Sequence, residues 1–196
     1  LPAGVFYEGI TSIIGPGCVI NPGKFHEEIE SLWQEETLAK NCNPLNIWVA
    51  HNVHIVGKDH LIKDTENNKV GTTLTGNGPA YAAKYARENK RAEDCKELIG
   101  WTVDLWAKFF EPHFDKSGNS ARVLAEGAQG FGLDIDWGNY PYVTSSHCGI
   151  GGLLNNGFNT KQINNVYGVF KAYDTYVGSF DFEPKDEPLF PEIRRF

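Results

Sequence analysis

The stretch that most constrains this chain runs from Leu124 to Cys148. An apolar run, Val123 to Ala125, leads straight into Glu126-Gly127-Ala128-Gln129-Gly130. Val and Leu before a Gly-flanked polar cluster read as a buried strand emptying into a loop. Ligands in open α/β sheets sit at the carboxyl ends of strands, so Glu126 and Gln129 are placed where chemistry usually happens. Two acids follow, Asp134 and Asp136, then Tyr140-Pro141-Tyr142 and the hydroxyls Thr144, Ser145 and Ser146. Loops rich in Gly and small polar side chains let backbone N–H groups approach an anion closely. If extended, the stretch puts Asp134 and Asp136 on one strand face, where paired carboxylates serve acid–base work or a metal.

The rest of the pattern alternates short strands with helices. Residues 4 to 20 read as strand, tight Gly-Pro-Gly turn and second strand. Asn21-Pro22-Gly23 opens a helix in which Phe25, Ile29, Leu32 and Trp33 recur at helical spacing. Ile47 to Ala50 reads as a buried strand that Val53 to Val56 extends or follows, and Asp64 to Lys69 as a polar surface loop. Val70 to Tyr81 is a second Gly-rich loop. Ala80 to Lys90 reads as a helix with Lys84, Arg87 and Arg91 on one face. Helix is expected to continue from Arg91 to Phe114 with Leu98, Trp101, Leu105 and Phe109 as its apolar stripe. Lys116 to Asn119 breaks it, and Ile163 to Tyr173 reads as another strand. Asp181 to Pro191, with its prolines and acids, reads as an irregular surface excursion. The histidines His51, His54 and His60 read as structural, because residues three apart on a strand face opposite sides.

A chain of 196 residues holds one domain with a sizeable core. A formal charge of −7 argues against nucleic acid as a partner. No apolar run approaches the ~20 residues of a membrane span. Cys18, Cys42, Cys95 and Cys148 stand far apart without a Cys-x-x-Cys, as expected of reduced thiols in the cytoplasm. A start on Leu1 without Met, and an end on Arg194-Arg195-Phe196, predict a fragment cut at both ends.

The central motif resembles the adenylosuccinate synthetase family: Glu-Gly-Ala-Gln-Gly, then Leu-Asp-Ile-Asp-x-Gly-x-Tyr-Pro-Tyr-Val-Thr-Ser-Ser. Gly71-Thr72-Thr73 with Gly78-Pro79-Ala80-Tyr81 agrees in order and kind. So do Val169 to Tyr173 with Val177-Gly178, and Leu1 to Val5 followed by Ile13 to Gly17. The resemblance implies an α/β fold, a mainly parallel sheet flanked by helices of the P-loop NTPase-like adenylosuccinate synthetase type, present in part. Residues 1–196 then form a single α/β domain lacking the N-terminal phosphate loop and the C-terminal GTP- and aspartate-binding part. No Gly-x-x-x-x-Gly-Lys-Ser/Thr cradle occurs in the sequence.

The activity implied is a two-step ligation in purine biosynthesis. GTP, with Mg²⁺, phosphorylates the 6-oxygen of IMP, and the amino group of aspartate displaces that phosphate. Carried over by position, Gln129 is the catalytic residue and contacts the purine near its 6-oxygen. Thr73 and Thr144 hold the 5′-phosphate, Leu133 and Val177 line the pocket, and Arg87 reaches the phosphate from the other subunit of a homodimer. Asp134 and Asp136 take a framing role near the subunit contact, and no residue is assigned to a metal.

Several positions depart from the pattern. Leu74 stands where the family has glycine, and Thr75 and Tyr176 where it has arginine. Trp137-Gly138-Asn139 replaces His-Gly-Thr, and His147 to Gly152 replaces Asn-Thr-Thr-Ala-Gly-Gly. The segment between Arg91 and the central motif is short for the family. These departures leave open a viral relative that ligates aspartate to dGMP. A non-catalytic nucleotide-binding or dimerisation module is the other reading. Residues 1–196 alone are expected not to turn over.

Overall fold

A computed structural model describes residues 1–34, 46–67, 70–114, 121–172 and 178–179. Among these residues five short strands are present: β1 (Ser12–Ile14), β2 (Val19–Ile20), β3 (Ile47–Ala50), β4 (His54–Ile55) and β5 (Thr102–Val103). All named pairings are parallel. Strand β3 lies between β1 and β5, with Ser12 opposite Ile47 and Val49 opposite Thr102, while β2 pairs separately with β4. The expected α/β class with parallel strands is therefore observed, although residues 4 to 20 contribute to two sheets.

Helix α1 (Pro22–Gln34) forms where the sequence places it. Pro22 supplies no orphan N–H at the first helical position, and the Asn21 side chain accepts the Lys24 N–H at 3.1 Å. Its Phe25, Ile29 and Leu32 are buried against Val5, Ile47, Val49, Leu98 and Leu105, and Phe25 meets Trp101 edge-on at 5.4 Å. Each such apolar side chain contributes about 1.5–3 kcal/mol by leaving water. Helices α2 (Lys58–Glu66) and α3 (Asn77–Ala86) pack on each other and carry the second Gly-rich loop between them. A π turn, Trp106–Phe110, runs into α4 (Glu111–Phe114), and α5 (Ile150–Leu154) follows the central loop. No helix among the described residues is long and apolar enough to cross a membrane.

Several sequence expectations fail for tertiary reasons. Asp64 to Glu66 belongs to α2 instead of a surface loop, and Asp64 is buried. Helix α3 stops at Ala86, so Lys84, Arg87 and Arg91 share no helical face. Asn89 ends it by donating to the carbonyls of Ile55 and Ala80, and the Lys90 carbonyl takes the Ile55 N–H. The expected helix from Arg91 to Phe114 is broken into short 3₁₀ turns and β5, because pairing with β3 outweighs local propensity. Its stripe residues Leu98, Leu105 and Phe109 are buried all the same.

The strands expected at Val123–Ala125 and from Ile163 onward are absent among the described residues. Leu124 is 80% exposed, Val169 97% and Phe170 91%. A strand needs a ladder partner and a layer against its apolar face, and neither segment has them here. Lys116 to Asn119, Tyr173, Tyr176, Val177 and Asp181 to Pro191 lie outside the described residues.

Candidate nucleotide site

The central loop is built on Asp134. Its Oδ1 accepts the N–H groups of Asp136 and Trp137 at 3.0 and 3.2 Å, and its Oδ2 accepts that of Cys148 at 2.6 Å. Those bonds, the Cys148 one foremost, hold the Asp134 carboxyl below the usual aspartate range, with nearby His147 adding to them. This arrangement is a turn, so Asp134 and Asp136 do not share a strand face. Asp134 is buried and Asp136 exposed. The Asp134 carboxylate thus ties residues 136, 137 and 148 of its own loop together.

Around Asp134 the chain folds back on itself. Thr144 N–H donates to the Leu133 carbonyl at 2.8 Å, and Ile135 N–H to the Ser146 carbonyl at 3.2 Å. Leu133 and Thr144, two expected pocket residues, are thereby neighbours. The same loop seats on the start of α3: a Cβ at Gly78 would lie 3.3 Å from Ser145 Oγ, and the Ser146 side chain lies beside the Tyr81 hydroxyl. Burial pushes the Tyr81 phenol up to about 12. Its hydroxyl also donates to the Gly17 carbonyl at 3.0 Å, and Lys84 Nζ to that of Pro16 at 2.8 Å. Lys84 is half-buried, and desolvation lowers its pKa.

Thr73 lies on the loop leading into α3. Its exposed hydroxyl is 3.2 Å from that of Thr75. At the start of this loop, Ser179 N–H donates to the Val70 carbonyl at 3.1 Å, and a Cβ at Gly71 would be 2.7 Å from Ser179 N. The stretch containing Gly178 is thus brought to the Thr73 loop, while Val177 itself lies outside the described residues. Gln129 is exposed beside the 3₁₀ turn Phe131–Leu133. Arg87 is exposed at the C-terminus of α3, with no ion pair among the described residues.

Backbone strain marks the same places. Leu74, Arg87 and Gln129 are the three non-glycine residues at positive φ among the described residues, at 56°, 66° and 63°. Such residues cost of order 1–2 kcal/mol each and cluster where geometry serves a ligand. Two are expected site residues, and the third follows Thr73 directly.

A family model described as adenylosuccinate synthetase matches residues 1–105 and 111–187. This chain belongs to the adenylosuccinate synthetase family. The adenylosuccinate synthetase of Deinococcus radiodurans is 37% identical over 219 aligned positions, covering 93% of this chain and 53% of the relative. That of Thermus thermophilus is 34% identical with 93% and 52% covered. The chain spans about half the length of the curated relatives it matches. The fully ligated adenylosuccinate synthetase structure from Plasmodium falciparum superposes with a TM-score of 0.77 at 29% identity, covering 92% of this chain and 51% of that one. A cyanophage S-2L succinoaminodeoxyadenylate synthetase, bound to dGMP and dATP as an energy donor, shares the fold with a TM-score of 0.63 at 22% identity over 83% of this chain and 45% of its own.

Sequence reasoning missed Asp64 and Asn156, which tie loops of the candidate site together. Asp64 bonds the Thr73 loop, and Asn156 bonds Gly17. The signal available was slight: an acid four residues after His60 in a helical window, and an Asn pair after Gly151-Gly152.

Proposed function

We propose that this chain supplies the purine monophosphate site of an enzyme that ligates aspartate to IMP at the expense of GTP. The reading rests above all on one relationship: the Leu133–Ser146 framework seats on α3, whose entry loop carries Thr73. In this reading Thr73 and Thr144 hydroxyls donate to the 5′-phosphate, and Leu133 and Val177 bound the nucleotide. Gln129 presents its amide N–H to the purine 6-oxygen, where phosphorylation turns a poor leaving group into a good one. Arg87 adds a charge-assisted bond to the phosphate across a homodimer interface, which suits its exposure at a helix end. The setting is the cytoplasm, and Cys18, Cys95 and Cys148 are free thiols there.

The described residues do not fit Mg²⁺. Their one group of three metal-type donors is Asp134, Asp136 and His147, and the Asp134 carboxylate already accepts three backbone N–H groups. No step is therefore routed through a metal held by this chain.

Equilibrium binding of IMP, dGMP and inosine to the chain tests the proposal. Saturable IMP binding, at least about tenfold tighter than inosine (about 1.4 kcal/mol), is the expected result. A preference for dGMP over IMP moves the substrate to the deoxyguanylate reaction. Equal binding of IMP and inosine removes the phosphate site.

A further inference from the structure

Asp64 is one of the few charged residues buried among those described, at 7% exposure. A buried carboxylate costs several kcal/mol unless its oxygens are hydrogen-bonded. Both oxygens reach across to the next loop. Oδ1 accepts the Thr72 hydroxyl at 2.9 Å, and Oδ2 accepts the Gly76 N–H at 2.8 Å. The Thr72 oxygen in turn accepts the Leu74 N–H at 3.3 Å. Thr73 therefore lies between two residues tied to one carboxylate. Gly76 is also the residue that caps α3, at φ 76°, where a Cβ would meet Val56 Cγ1 at 2.8 Å and Leu61 N at 3.1 Å. A negative charge at this helix start is further favoured by the helix dipole.

We propose that Asp64 is the positioning residue of the nucleotide loop, setting the Thr73 hydroxyl and its flanking amides for the 5′-phosphate. The proposal rests on the purine monophosphate reading above. Asp64 touches no nucleotide in this account and acts through Thr72 and Gly76. An ordinary helix-packing role would lower stability without distinguishing phosphorylated from unphosphorylated ligand. The two roles also differ for Asp64→Asn. The amide oxygen still accepts the Gly76 N–H, and the amide N–H donates to the Thr72 oxygen, so most of the positioning survives.

The test compares Asp64→Ala, Asp64→Asn and Thr72→Val in the 196-residue chain. Amide hydrogen exchange is read at Leu74 and Gly76, and IMP and inosine affinities by calorimetry. Losing hydrogen bonds to a charged group predicts about tenfold or more faster exchange at both amides in Asp64→Ala, and about tenfold weaker IMP binding with inosine unchanged. Asp64→Asn should retain most of both, and Thr72→Val should weaken IMP by a smaller factor. Should Asp64→Ala not fold, the other two variants decide. Unchanged exchange in Asp64→Ala, equal loss for IMP and inosine, or Thr72→Val exchanging as wild type at Leu74 would overturn the proposal. A wild-type chain that binds no IMP overturns the nucleotide reading, and the exchange data still judge whether Asp64 orders the loop.

Discussion

Asn156 reaches across the chain to Gly17: its Oδ1 accepts the Gly17 N–H at 2.9 Å while its Nδ2 donates to the Gly152 carbonyl at 2.7 Å. The amide plane lies so close that a Cβ at Gly17 would be 2.7 Å from Nδ2, and one at Gly15 would collide with Oδ1. Asn156→Ala should cost about 1–3 kcal/mol through its lost hydrogen bonds. Gly15→Ala should also destabilise, but less once Asn156 is truncated. A double-mutant cycle by chemical denaturation should give a coupling of about 0.5–3 kcal/mol, and additive losses would refute the close approach.

Asp134 ties the central loop to acid pH. Its folded pKa is depressed, foremost by the Cys148 N–H. The stability it contributes is therefore present above the ordinary aspartate value, about 3.9, and is lost as pH falls through the lower folded value. Asp134→Asn should melt below wild type at pH 7, with the gap narrowing as pH drops below about 4. Thermal melts of both proteins across pH 2.5–7 (roughly the carboxylate range) check this, and a constant gap would contradict it.

Strain at Arg87 and Leu74 predicts a trade of stability against binding. Relieving a left-handed residue returns about 1–2 kcal/mol, and glycine's unfolded-state entropy takes back about 0.5–1. Arg87→Gly and Leu74→Gly should each gain about 0.5–1 kcal/mol of stability. Arg87→Gly should at the same time weaken IMP binding in the assembled protein, since the charge at the helix end is gone. Stabilisation with unchanged affinity would remove Arg87 from the site.

Much of this was legible in the sequence, and the remainder had identifiable reasons to be hidden. Phe25, Ile29 and Leu32 recur at helical period and are buried on α1, and Ile47 to Ala50 forms its strand. The stripe Leu98, Leu105, Phe109 fits a helix equally well on paper. Pairing of β5 with β3 decided otherwise, and pairing is not a local property. The apolar alternation around Val169 and Phe170 needs a covering layer that the described residues do not supply. Among the proposed site residues, Thr73, Gln129, Leu133 and Thr144 came from the sequence motifs. Asp64 did not, because its partners are eight and twelve residues further along and become neighbours only when α2 meets α3.

Gln129 carries the claim about the purine base. Gln129→Glu exchanges an amide donor for an acceptor-only carboxylate. Leaving a purine oxygen without its donor predicts at least about tenfold weaker IMP binding with the melting temperature retained. Unchanged affinity would take Gln129 out of the site.

Under the proposed function, the Thr73 loop, the Gln129 turn and the Leu133–Ser146 framework form one purine monophosphate site. A nuclear magnetic resonance titration of the labelled chain with IMP tests it most directly. Saturable shifts of the Thr73, Gln129, Leu133 and Thr144 amides with a common dissociation constant are the expected result. Shifts confined to another surface, such as the aromatic cleft of Trp106, Phe110 and Phe114, would contradict it, as would no shifts at all.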